Sequence, residues 1–234
     1  MSKPSLWKRL SSVCALCAVA AIASPAQTFT SLVSFNVTDG ALPYYGPLAQ
    51  GFDGNLYGTT ASGQLNCFYD KGRTGCGTAF KITTAGALTT IYNFSSAQWE
   101  PEAGLVLGTD GSFYGTTCLG GDLSQSQCID DLGNDVGCGT VFKITSQGKL
   151  TSLHNFEYTD GANPASELVQ ATNGNFYGTA NNGGANFYGT IFEITPSGNL
   201  TSLHSFDFND GAFPSALVED SNGNFYGTTT SGGA

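Results

Sequence analysis

The chain has 234 residues, among them 32 glycines, with 12% aromatic and only 11% charged residues and a net charge of −10. So little charge excludes coiled coils and long surface helices, which need Glu, Lys and Arg on their wet face. The aromatic content excludes disorder, and the acidic balance repels phosphate backbones, so nucleic acid is excluded as a partner.

The first element is a leader. Lys3, Lys8 and Arg9 precede an apolar run from Leu10 to Ala23, and small residues follow at Ser24 and Ala26. This pattern predicts an export signal over 1–26, cleaved after Ala26. The run is shorter than the roughly 20 residues a membrane span needs, and no later segment qualifies. The mature chain is therefore expected over 27–234, secreted, periplasmic or on the cell surface. Without the three basic leader residues its charge becomes −13 (5 basic against 18 acidic).

The rest is organised by one repeat, at roughly 29–83, 88–145, 150–195 and 200–234. In the first copy Asp53-Gly54 precedes Leu56-Tyr57-Gly58-Thr59-Thr60, and Gly77-Thr78-Ala79-Phe80-Lys81-Ile82-Thr83 follows. The second copy reads Asp110-Gly111, then Phe113-Tyr114-Gly115-Thr116-Thr117, then Gly139-Thr140-Val141-Phe142-Lys143-Ile144-Thr145. The third opens with Leu150-Thr151-Ser152-Leu153-His154-Asn155-Phe156 and carries Asn173-Gly174 before Tyr177; the fourth carries Asn222-Gly223 before Tyr226. Alternating apolar and polar residues predict half-buried strands, and Asp-Gly or Asn-Gly predicts tight hairpins. Four strands per roughly 50 residues match a propeller blade, so the expected fold is an all-β, β-propeller-like array of four repeats.

The repeats differ in length at one place. From Phe80, Phe142 or Phe192 to the next anchor Phe (Phe94, Phe156, Phe206) is always 14 residues. From Tyr57, Tyr114 or Tyr177 to the following Phe, by contrast, is 23, 28 and 15. The variation therefore sits in loops 61–76, 118–138 and 181–188, which in a repeat array emerge on one face, often the binding face. The last copy stops at Ser231-Gly232-Gly233-Ala234, where the next Gly-Thr-x-Phe strand should begin. The last repeat is thus expected to be incomplete, finished by further sequence or by another chain.

The recurring Asp-Gly-x-(Leu/Phe)-Tyr-Gly-Thr-Thr, Gly-Thr-x-Phe-x-Ile-Thr and Leu-Thr-Ser-Leu-His-x-Phe resemble the Gloeo_Verruco (GloVer) tandem repeat over essentially all of 29–234. The Tyr-Gly-Thr core also looks like the blade motif of two-component-regulator propellers. The resemblance implies an exported bacterial repeat protein of the choice-of-anchor kind, and it carries no catalytic residues.

Five cysteines follow the leader. Cys76 and Cys138 both stand before Gly-Thr, with Cys67 nine and Cys128 ten residues back, which predicts two loop-stapling disulfides; Cys118 is left over. His154 and His204 share one repeat position without a nucleophile beside them, so no catalytic residue is assigned. Asp39, Asp160 and Asp210 each precede Gly-Ala-x-Pro and read as turn residues. Asp130, Asp131 and Asp135 are weak Ca²⁺ candidates, off the EF-hand spacing; no other cofactor is indicated. Tyr69 and Trp99 are candidate aromatic contacts on the ligand face. The expected function is a non-enzymatic extracellular interaction scaffold for a protein or glycan. Its alternatives are a propeller enzyme acting on extracellular glycans, or a fragment of a longer array without function of its own.

Overall fold

In the first repeat the chain forms β1 (Ala49–Gln50), β2 (Leu56–Thr60), β3 (Phe68–Tyr69), β4 (Arg73–Thr74), β5 (Thr78–Ile82) and β6 (Leu88–Asn93). The second gives β7 (Gln98–Trp99), β8 (Val106–Leu107), β9 (Phe113–Thr117), β10 (Leu119–Gly120), β11 (Thr140–Ile144) and β12 (Leu150–Asn155). The third gives β13 (Val169–Gln170), β14 (Phe176–Ala180), β15 (Thr190–Ile194) and β16 (Leu200–Ser205), and the fourth β17 (Ala212–Glu219) and β18 (Phe225–Ser231). This computed structural model describes residues 29–43, 46–63, 68–69, 73–74, 76–95, 97–124, 126–129 and 133–233. The expected leader lies outside them. Leu32–Ala234 is one compact unit and Met1–Ser31 another, in which residues 29–31 are described and form no regular element. Among the described residues no helix is long and apolar enough to cross a membrane.

Three antiparallel four-stranded sheets follow one another along the chain, β1-β2-β5-β6, β8-β9-β11-β12 and β13-β14-β15-β16, and then the pair β17-β18. The fold is the expected all-β, propeller-like array. Its sheets, however, are offset from the sequence repeat. Leu150–Asn155 opens a sequence copy but closes the sheet begun at Val106, pairing with β11 from Thr140↔Asn155 to Ile144↔Leu150. Sequence similarity marks a period but not a phase; hydrogen bonding sets the phase.

Register explains the repeated pattern. Phe80 lies opposite Gly58, Phe142 opposite Gly115 and Phe192 opposite Gly178. A Cβ on any of these glycines would come within 2.6–2.8 Å of the Phe ring and within 2.7–3.0 Å of Leu48, Leu105 or Leu168. Glycine is therefore a seat for the ring. The same rings receive the anchor phenylalanines edge-on, with centroids 4.8 Å apart for Phe35–Phe80, 5.3 Å for Phe94–Phe142 and 5.2 Å for Phe156–Phe192.

Successive repeats are joined by a stacked pair. Tyr57 lies on Phe113 at 4.2 Å, Tyr114 on Phe176 at 3.9 Å and Tyr177 on Phe225 at 4.2 Å, interplanar angles being 27–30°. Next to each pair a threonine hydroxyl crosses to a carbonyl of the following repeat: Thr59 to Ala103 (2.7 Å), Thr116 to Ser166 (3.4 Å), Thr179 to Ser215 (3.0 Å). Offset stacking adds about 0.5–1.5 kcal/mol to the burial of rings of this size. Tyr57, Tyr114, Phe113 and Phe176 are all essentially inaccessible.

Candidate functional site

The variable loops are positioned by four residues that each precede a proline. Leu42, Glu100, Asn163 and Phe213 have φ of 60°, 56°, 56° and 54°. The left-handed region costs a non-glycine residue of order 1–3 kcal/mol, so neighbouring bonds must hold it there. They do. The N–H of Glu100 donates to the carbonyl of Cys76 (3.2 Å), that of Asn163 to Cys138 (2.8 Å) and that of Phe213 to Tyr188 (2.9 Å). The carbonyl of Leu42 accepts from Ala61 (3.2 Å), that of Glu100 from Cys118 (2.9 Å) and that of Asn163 from Asn181 (3.3 Å). Glu100 thus ties the last residue of loop 61–76 to the first of loop 118–138, and Asn163 ties loop 118–138 to loop 181–188. The preceding residue pairs with the loop as well: Ala41↔Ser62, Trp99↔Leu119, Ala162↔Asn182 and Ala212↔Ser231. The described ends of the three loops are thus joined in series into a rim at one end of the sheets.

Within the rim, Cys128 and Cys138 are bonded, with Cα atoms 5.2 Å apart. Cys76 is buried and disulfide-bonded, while its expected partner Cys67 lies outside the described residues. Cys118 carries a thiol and is half-buried. Asp130 and Asp131 lie outside the described residues; Asp135 is exposed and bridged to Ile129. Among the described residues no three His, Cys, Asp or Glu side chains are grouped closely enough to hold a metal ion. Tyr69 sits in β3, its backbone opposite Arg73.

Trp99 corrects an expectation. It is 8% exposed, packed in the core with Val136, and its indole N–H donates to the Val136 carbonyl at 3.3 Å. It occupies the place held by Ala41, Ala162 and Ala212 in the other repeats, where loop 118–138 folds over it. It is a packing anchor and presents no ring to a ligand.

The rings that do face solvent are elsewhere on the rim. Phe187, in loop 181–188, is 62% exposed, and Phe208, in the adjoining corner, is 47% exposed. Both hold φ near +73°, a bulky residue in the left-handed region. Tyr158 lies 5.8 Å from Phe187, and Tyr188 lies 5.3 Å from Phe208, so each exposed phenylalanine is backed by a half-buried tyrosine. The available sequence signal was Asn186-Phe187-Tyr188-Gly189, which stands where Cys-Gly stands in the first two repeats.

The histidines brace the Asp-Gly corners. His154 Nε2 is 2.8 Å from Asp160 Oδ2 and His204 Nε2 is 2.7 Å from Asp210 Oδ2. The second oxygen of each aspartate accepts a backbone N–H three residues earlier, from Glu157 or Asp207, both at 3.0 Å. That backbone bond, with His204 beside it, holds the Asp210 carboxyl below its ordinary value. Each imidazole stands edge-on to a phenylalanine, Phe156 or Phe206. The arrangement is the turn chemistry the sequence suggested.

The opposite end of the sheets repeats a different contact. Tyr57 donates to Asp53 (2.8 Å) and Tyr114 to Asp110 (3.0 Å), and Lys143 reaches Asp110 at 2.6 Å. In the third repeat the roles exchange: Asn173 replaces the aspartate, Glu193 replaces the lysine, and Tyr177 donates to Glu193 at 2.9 Å. Burial, reinforced by Asp53, pushes the Tyr57 hydroxyl up to about 12. Bonds from Tyr57 and Asn55 hold Asp53 down. Burial works against the Asp110 carboxyl, but Lys143, Ser112 and Tyr114 together bring it below its usual value. Glu167 differs, since burial pushes its carboxyl up.

Among solved structures the chain is similar to a streptogramin B lyase, at 18% identity and TM-score 0.49, over 79% of this chain and 47% of that one. It is also similar to a virginiamycin B lyase from Staphylococcus aureus (18%, TM-score 0.48, 79% and 52%) and a PQQ-bound aldose sugar dehydrogenase from Streptomyces coelicolor (13%, TM-score 0.47, 82% and 58%). The chain spans about half the length of these proteins. No curated protein matches it. The sequence profile of the Gloeobacter/Verrucomicrobia repeat matches residues 67–234, most of the chain, and the protein belongs to that repeat family.

Proposed function

We propose that this is an exported, non-enzymatic interaction scaffold that binds an extracellular neutral glycan through the loop rim. The observation that carries the reading is the pair of exposed rings Phe187 and Phe208, each backed by a tyrosine, on a rim whose loops are fastened to one another. Rigid aromatic rings supply contact area at low entropic cost, and exposed apolar patches mark interaction sites. The net charge of −10 disfavours anionic chains. Disulfides in the loops accord with an oxidising compartment.

The test is titration of the purified chain against neutral polysaccharides, with assay for released reducing ends. Saturable binding without turnover, weakened at least tenfold in Phe187→Ala/Phe208→Ala at unchanged Tm, is the expected result. Unchanged binding by that variant would refute the site. Turnover would favour the glycan-acting enzyme, and binding confined to protein surfaces would redirect the ligand class.

A further inference from the structure

Among the described residues the fourth sheet shows two strands, without the phenylalanine-bearing strand of the other three. In each complete sheet the seat glycine of the Tyr-Gly-Thr strand is covered by a phenylalanine from the adjoining strand and by the leucine just before the first strand, and an anchor phenylalanine meets the seated ring edge-on. In the fourth, a Cβ on Gly227 would meet Leu217 at 2.9 Å and the Ala216 carbonyl, and no ring. The leucine and the anchor Phe206 are in place. Between them lies a cavity of about 230 Å³ lined by Phe206, Leu217, Gly227 and Thr229. Among the described residues β18 pairs only with β17, and Tyr226 and Val218 are 58% and 62% exposed.

We propose that the free edge of β18 is an acceptor site for an extended strand of the chain's own Gly-Thr-x-Phe-x-Ile-Thr type, adding antiparallel with its phenylalanine in the Gly227 seat. The three filled seats define the occupant. In them the threonine of the incoming strand lies opposite Thr60, Thr117 or Ala180, the phenylalanine opposite glycine, and the isoleucine opposite Leu56, Phe113 or Phe176. The corresponding partners on β18 are Thr229, Gly227 and Phe225. A second contact is also waiting. Thr78 and Thr190, the threonines of two such strands, donate to the carbonyls of Asp39 and Asp160 at 3.0 Å. Asp210 is the equivalent residue in the fourth repeat, and it lines the same cavity. The edge supplies main-chain hydrogen bonds, and the seat and corner supply selectivity, which is how strand addition to a sheet edge recognises its ligand.

The experiment uses the full chain and a labelled heptapeptide with the sequence of Gly139–Thr145. Saturable binding is expected, with slowed amide exchange across Phe225–Ser231. A peptide in which the residue corresponding to Phe142 is Ala should bind at least tenfold more weakly. So should the protein variant Gly227→Ala, because a Cβ at an occupied seat meets the ring inside 3 Å. The Gly227 backbone lies outside the left-handed region, so the variant adds no backbone strain there; because its Cβ also presses on Leu217 and the Ala216 carbonyl, its Tm is measured alongside, and the peptide pair reads the seat without changing the protein. No saturation up to about 1 mM peptide, a ceiling of about 4 kcal/mol, would overturn the proposal. So would equal binding of the two peptides, or unchanged affinity in Gly227→Ala. A β18-to-β18 dimer that the peptide fails to dissociate, seen by sedimentation, would also overturn it, because the edge would then belong to a second copy.

Discussion

The two ends of the sheets obey opposite rules. At the hairpin end the same tyrosine–carboxylate contact recurs in every repeat, even where the carboxylate has moved from Asp110 to Glu193 on the neighbouring strand. At the rim end the fastening and the Asp-Gly corners recur, while the loops between them differ in length and content. The contrast shows how a repeat can vary without losing register. One end fixes the stacking of Tyr114 on Phe176 and its equivalents; at the other end backbone bonds that ignore side-chain identity recur, and side-chain ties such as Cys128–Cys138 and Trp99–Val136 are particular to one loop.

Removing a joint at the hairpin end should have the largest effect. Tyr114→Ala empties a site 1% exposed and stacked at 3.9 Å, and a loss of about 3–5 kcal/mol is expected, by analogy with large aromatic truncations in cores. Denaturant unfolding measures it. At the rim, Cys128→Ser/Cys138→Ser opens a short loop and should cost about 2–3 kcal/mol. Because Trp99 and Val136 still hold the loop base, amide exchange should rise in loop 118–138 while β9 and β11 stay protected. A global rise would erase the distinction between the two ends.

Asp110→Asn should cost less, a few tenths to about 1 kcal/mol, since the pair with Lys143 is partly solvated. Its signature is in the pH dependence. Asp110, Asp53 and Asp220 all bind their protons less readily in the folded chain than in the unfolded one. Their contribution is complete above about pH 4 and drains away as pH falls through the lowered folded values. The variant and the parent should therefore converge in acid. Tyr57 acts in the opposite sense, its contribution being lost as pH rises from 10 towards 12. The smallest effect is the swap: Asn173→Asp alone sets two carboxylates around Tyr177 and should cost a few tenths of a kcal/mol. Adding Glu193→Lys should restore it, and a double-mutant cycle reads the difference.

The strands, hairpins and Cys128–Cys138 pairing were legible because each rests on local pattern: alternation, Asp-Gly turns, cysteines placed alike before Gly-Thr. The role of glycine opposite phenylalanine was visible only as a repeated string, because the ring that needs the space comes from another strand. Trp99 misled for the same reason. In sequence it stands in a turn beside Glu100-Pro101, and only the fold brings Val136, 37 residues away, over its indole. The exposed rings were not legible because Phe187 and Phe208 read as ordinary apolar residues until their backbone conformation and exposure are known. The exchange of Asp and Lys for Asn and Glu needed the register that sets Tyr177 opposite Glu193.

The left-handed residues before each proline have a consequence for how this surface can change. Loop 118–138 begins and finishes on backbone bonds to Glu100 and Asn163, whose own positions belong to the corners. The span between the two attachment points is therefore constant, and the entropy of closing the loop grows only with the logarithm of its length, about 0.6 kcal/mol for each doubling. A segment twice as long, or of unrelated sequence, grafted between Asp122 and Asn134 leaves Trp99, Val136 and both attachment bonds in place, and costs about 0.6 kcal/mol of closure beyond the loss of the Cys128–Cys138 bond. The rim is in that sense a set of sockets with fixed gauge, where natural variation or a designed library can act on the insert alone.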